Sequence, residues 1–282
     1  MIRSCIGFVL VVFVVSAAAQ TPTEAWVCAE GKGVSPEVQI NACAQIINAG
    51  GTKEVRAMAF RNRCWANMLK GDLDGAISDC DEALRLLPND RTNNWITLYN
   101  RANAFERKGE YDKAVADYDR LLQIDPKNAN TLNSRGNAYR GKGDYKRAID
   151  DFSRSIGLNK NTSRVGDSLD VGTTLANRCE ARALAGDFAK ALADCNEAIK
   201  LEPNETVPLG SRGFVYLKMA KIDEALSDFD AAVRQSPRRP FALYGRGIAK
   251  LRKGDDSGHA DMAAAKAISP SIDDEFAHSG IR

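Results

Sequence analysis

Residues 134–153 read S-R-G-N-A-Y-R-G-K-G-D-Y-K-R-A-I-D-D-F-S, and the chain writes close variants of this phrase repeatedly. Residues 100–119 read N-R-A-N-A-F-E-R-K-G-E-Y-D-K-A-V-A-D-Y-D, and residues 177–196 read N-R-C-E-A-R-A-L-A-G-D-F-A-K-A-L-A-D-C-N. The same frame returns at 62–81 and 211–230, and G-R-G-I-A-K-L-R-K-G-D-D at 245–256 opens a last copy. Each copy is an amphipathic stretch, a K-G-D-Y-like turn and a second amphipathic stretch, a pattern that predicts paired helices. The copies close at Pro88, Pro126, Lys160, Pro203, Pro237 and Pro270, with spacings of 38, 34, 43, 34 and 33. The base period is 34. Periods of this length mark repeat architectures whose units bury their apolar faces only by stacking.

The four extra residues near Asp90–Asn94 amount to about one helical turn and predict a longer helix. The nine extra residues, around 163–171, predict an inserted loop.

A 34-residue helix–turn–helix period, with alanine early in the second helix and proline at its end, resembles the tetratricopeptide repeat. The resemblance covers about 57–270 and implies an all-α, right-handed α-solenoid of six helix hairpins between capping segments. In that family small residues sit where paired helices approach most closely. Here those places hold Gly136, Gly213 and Gly247 on first helices, and Ala76, Ala114, Ala148, Ala191 and Ala225 on second helices. Three departures stand out: Lys160 replaces a proline, Ala220 replaces a turn glycine, and the last copy is one residue short.

The predicted organisation is a cap at 20–56 with a helix near Val38–Asn48, then repeats at 57–162, the loop at 163–171 and repeats at 172–270. A capping helix is expected at 271–282, with Ile272 and Phe276 four apart on one face. Residues 1–19 carry Arg3, an apolar run from Cys5 and an A-x-A end at 17–19, the parts of a secretory signal peptide. The run is 15 residues, short of the ~18–20 needed for a bilayer span, so no stable membrane span is expected after cleavage near Ala19. An uncleaved anchor is the rival reading. With the repeats, the leader implies an exported bacterial protein, periplasmic or secreted.

Beyond Cys5, six cysteines remain, and two repeats carry a pair: Cys64 with Cys80 and Cys179 with Cys195, each 16 apart. Cys28 and Cys43 are 15 apart in the cap. Across a helical hairpin such positions face each other, and in an oxidising compartment an even count reads as a disulfide framework. Reduced core thiols and a metal site are the alternatives, although C-x-x-C spacing is absent.

Arg63, Arg101, Arg135, Arg178, Arg212 and Arg246 precede the first-helix small positions; Asp79, Asp117, Asp151, Asp194 and Asp228 follow sixteen residues later, and Asp261 fifteen later. The arginine row is thus expected to pair with carboxylates rather than bind an anion, each exposed pair contributing about 0–1 kcal/mol.

Among 282 residues, 39 basic and 37 acidic side chains exclude a strongly basic nucleic-acid binder, and two histidines argue against a histidine-rich metal site. G-N-A-Y-R-G-K-G at 136–143 lacks the Ser or Thr of a phosphate loop and a preceding strand. D-D-S-G-H-A-D at 255–261 reads as a polar turn and helix start near Ser257. With no catalytic signature, the expectation is a non-enzymatic protein without cofactor or metal.

What the resemblance implies instead is a concave surface, lined by first helices, that binds a protein or peptide segment. Its inward places map here to Asn62, Trp65, Tyr99, Asn100, Asn103, Asn133, Asn137, Arg140, Asn177, Glu180, Phe214 and Tyr244. A carboxamide both donates and accepts, so an asparagine row suits the main chain of an extended peptide. Aromatics toward the ends suit anchoring. The same asparagines could instead be solvated or bond to neighbouring helices. The alternative function is a structural subunit that self-associates through its convex face or end caps.

Overall fold

The structure, a computed structural model, describes residues 27–29, 33–159 and 171–281, with the backbone alone for 91–93. The leader at 1–19 and all but Val171 of the loop at 163–171 lie outside the described residues. Val171 itself opens a helix. The described residues are helical, and they divide into two compact units, 1–104 and 105–282.

In the first unit, α1 (Pro36–Ala49) packs on α2 (Lys53–Lys70), which pairs with α3 (Leu73–Leu86); α4 (Arg91–Arg107) runs to the unit's end and three residues beyond. At 17 residues, α4 is four longer than the 13 of the first helices α6, α10 and α12 described next, which accounts for the extra turn in the repeat spacing.

The second unit holds α5 (Tyr111–Ile124) and the hairpins α6–α7 (Ala129–Gly141, Tyr145–Asn159), α8–α9 (Val171–Leu184, Phe188–Leu201), α10–α11 (Thr206–Lys218, Ile222–Gln235) and α12–α13 (Pro240–Arg252, Gly258–Ile268). A short α14 (Ile272–His278) ends it. Each first helix packs on its own partner and on the second helix of the hairpin before it. First helices also touch from one hairpin to the next, α6 on α8, α8 on α10 and α10 on α12; among the described residues, second helices do not. Closer approach on one side makes the first helices the inner layer.

The turns follow from backbone chemistry. In α2–α3, Gly71 adopts φ 91°, and the Asp72 side chain accepts from the Gly75 N–H to cap α3. At the equivalent turn of α10–α11, Ala220 is forced to φ 57°, the one non-glycine residue at positive φ among the described residues. A Cβ there costs roughly 1–2 kcal/mol, strain that the surrounding hairpin holds in place.

Close packing explains the small residues. A Cβ on Gly136 would stand 2.7 Å from the Phe152 ring, which is fully buried between the helices. Ala76, Ala114, Ala148, Ala191 and Ala225 have no exposed surface.

The three cysteine pairs are disulfides: Cys28–Cys43, Cys64–Cys80 and Cys179–Cys195, with Cα separations of 4.9, 5.5 and 5.6 Å. The first two lie in the first unit and the third ties α8 to α9.

The arginine–aspartate pairs are stronger than an exposed ladder. Arg178 holds Asp194 through two bonds of 2.8 and 2.7 Å, and Arg135, Arg212 and Arg246 hold Asp151, Asp228 and Asp261 in the same forked geometry. Arg63 and Asp79 repeat it in the first unit. The aspartates lie within the second helices and are buried, each bonded to its arginine across the hairpin. Several arginines also reach the preceding hairpin: Arg135 bonds Asp119, Arg212 bonds Asn196 and Arg246 bonds Asp230. One guanidinium thus fixes both a hairpin and its neighbour, as its planar fork of donors allows.

Candidate functional site on the inner helical layer

In the first unit the inward places split between buried and open. Asn100 is buried, while Asn62 lies on a partly covered surface, its Nδ2 donating to the Ala29 carbonyl at 3.5 Å. Tyr99 stacks on Trp95 with ring centroids 5.5 Å apart. Trp65 stands open with 42% of its surface exposed; Leu69, one turn along α2, and Ile96 of α4 are exposed as well. Asn103, also on α4, is partly covered.

In the second unit, α6 supplies Asn133, Asn137 and Arg140, and α8 supplies Asn177 and Glu180. Asn133 is buried and accepts from Asn177 Nδ2 at 3.1 Å, so this pair ties α6 to α8. Part of the asparagine row therefore bonds between neighbouring helices. Asn137 differs: its Oδ1 is buried with no protein partner. A buried acceptor left unsatisfied costs about 1–3 kcal/mol.

Arg140 pairs with Glu180, and the Ser211 hydroxyl of α10 donates to the same carboxylate, so three first helices are laced across their inner face. Arg140 is partly covered and Glu275 of α14 keeps an exposed surface, and both line one cleft. Burial pulls the Arg140 guanidinium down in pKa and pushes the Glu275 carboxyl up, with Arg140 opposing the second shift. The cleft encloses about 190 Å³ and is lined by Asn177, Ser211 and Arg239 as well.

Glu106, the penultimate residue of α4, is pushed up to about 7, chiefly by burial; the Tyr118 hydroxyl at 3.1 Å and Arg140 pull the other way. A carboxyl raised on folding makes the folded state the better proton binder between its two pKa values, so stability falls as pH rises through that interval. Urea midpoints of the second unit should therefore decline from pH 5 to pH 8, and Glu106→Gln should flatten the decline. An equally steep decline in the variant would contradict this.

Phe214 and Tyr244 do not stand open at the inner face. Both are buried beneath α14, whose Phe276 packs at 6.2 Å from the Phe214 ring and 5.0 Å from Tyr244. Spacing on a first helix cannot show that a later segment folds back over it. Ser211, Arg239 and Glu275 join the site without having been expected there. The signal for α14 was the Ile272–Phe276 face, which predicts burial without saying against what.

The 255–261 turn is structural: Asp261 is held by Arg246 and by Lys250 at 2.9 Å, and Ser257 precedes α13. No helix among the described residues is long and apolar enough to cross a membrane.

Stacked hairpins with first helices turned inward define a class, the helical-repeat scaffolds. Sequence profiles for the TPR repeat match residues 102–143, and those for the tetratricopeptide repeat match 129–162 and 212–271. The chain is a tetratricopeptide repeat protein.

Among solved structures, a tetratricopeptide repeat protein from Parabacteroides merdae ATCC 43184 aligns with a TM-score of 0.73 at 19% identity, over 92% of this chain and 96% of that one. A thermophilic TPR protein in Thermus thermophilus gives 0.56 at 21% identity, over 69% and 99%. These similarities concern the fold. Human sperm-associated antigen 1 is 26% identical over 242 residues, covering 77% of this chain; the chain spans 26% of that relative's length.

Proposed function

We propose that the protein is an exported, non-enzymatic scaffold that binds a peptide or protein segment on the inner face of its tetratricopeptide solenoid. In this reading six repeats at 57–162 and 172–270 stand between the cap at 20–56 and the terminal helix at 271–282. The observation that carries it is the cleft of the second unit, lined by Asn177 and by the Arg140–Glu180–Ser211 lacing of three first helices; Asn137, three residues before Arg140 on α6, adds a buried acceptor without a protein partner. A site built on packed helices is ordered before binding and avoids part of the ordering cost. Three disulfides support export, since such bonds persist in oxidising compartments. The mature chain then begins near Gln20, in the periplasm or outside the cell.

The test is co-purification from the exported fraction, followed by mass spectrometry of both bait and prey. Wild type should retain a protein that an Asn137→Ala, Asn177→Ala variant of equal helical content loses at least tenfold, and the bait should lack residues 1–19. Equal retention by both baits would exclude the inner face and favour self-assembly or a convex-face partner. A bait that keeps residues 1–19 would exclude cleavage.

A further inference from the structure

The terminal helix α14 does more than close the end of the stack. Its apolar side, Ile272 and Phe276, is buried, and Phe276 sits 4.9 Å from the Phe241 ring, closing an aromatic cluster with Phe214 and Tyr244. Those three rings belong to α10 and α12, both first helices, so α14 covers part of the inner layer. The chain beyond it is hooked down by Lys218, whose Nζ donates to the Ser279 carbonyl at 2.7 Å.

Two clefts flank α14. One is the 190 Å³ cleft of the candidate site; the other encloses about 660 Å³ beside Pro237 and Ser269. Arg239, Phe241 and Glu275 line both, so α14 stands as a partition within one groove. Its polar side is acidic, with Asp273, Asp274 and Glu275, and it faces cations: Lys266 bonds Asp273 at 2.6 Å, and Arg140 and Arg239 stand near Glu275.

We infer that the aromatic cradle of Phe214, Phe241 and Tyr244 is a docking site for an acidic amphipathic helix with an aliphatic residue four before an aromatic one, and that α14 is its intramolecular occupant. A partner segment of the same chemistry competes with α14, and its displacement joins the two clefts. The inference rests on reading the inner face as the partner site. A seven-residue helix held by one apolar side, the surface ion pair of Lys266 with Asp273 and the Lys218 hook is poised to open ahead of the longer helices beneath it.

The probe is a fluorescein-labelled peptide of residues 269–282, titrated by anisotropy into the full mature chain. Phe276→Ala, which empties the cradle, should bind it at least tenfold more tightly than wild type, and the same peptide carrying Phe276→Ala should not bind. If that protein variant loses helical content, Lys218→Ala serves instead, with at least threefold tighter binding expected. Hydrogen exchange of the wild type should show α14 amides exchanging at least tenfold faster than those of α10 and α12. Equal peptide binding by wild type and variants, or α14 protected as strongly as α10 and α12, would overturn the inference. The peptide needs no natural partner, so failure here is separate from failure of the asparagine variant in partner capture.

Discussion

Asp194→Ala is expected to cost the second unit about 3 kcal/mol, the low end of what removing one partner of a buried ion pair costs. Asp194 is buried and receives Arg178 through two bonds and Arg182 through a third at 2.6 Å. Its loss strands two guanidiniums whose side chains are 15% and 17% exposed, too little for water to replace the carboxylate fully. Asp223→Ala is the internal control. Asp223 also bonds a cation, Lys253 at 2.5 Å, but the two side chains are 80% and 46% exposed, so its removal should cost about 0–1 kcal/mol. Urea unfolding followed by circular dichroism separates the two. Equal losses would mean that burial does not set the strength of the ladder.

Removing the α8–α9 disulfide as Cys179→Ala, Cys195→Ala should lower stability by about 3 kcal/mol, the loop-closure value for a bridge spanning 16 residues. The contrast between the units makes this sharper. The described residues carry two bridges in the first unit and one in the second, so reductant should move the first unit's transition further. In a repeat protein stability is close to a sum of unit and neighbour terms, which keeps such losses local. Differential scanning calorimetry with and without reductant reads both transitions. Unchanged profiles would show that the bridges contribute nothing beyond packing.

How much of this could be read in the chain depends on the range of each interaction. The hairpins were legible because alanine, glycine and proline recur at fixed places, and each answers a local demand: Gly136 for the Phe152 ring, Gly71 for positive φ. The disulfides were legible because both partners sit in one hairpin. The strength of the arginine pairs was not, since burial is a tertiary property: the sequence pairs Arg178 with Asp194 but does not reveal the added bond from Arg182. The site was legible only in part. First-helix spacing selects inward positions, yet it cannot tell that Asn133 is consumed by Asn177, or that Phe214 and Tyr244 lie under a segment more than thirty residues later.

The central claim is that the inner layer of first helices takes the partner. Hydrogen exchange of the second unit, with and without the co-purified partner, tests it directly. Protection concentrated in α6, α8 and α10, around Asn137, Arg140 and Ser211, is the predicted result. Protection confined to the second helices α7, α9 and α11 would contradict it and place the partner on the opposite face.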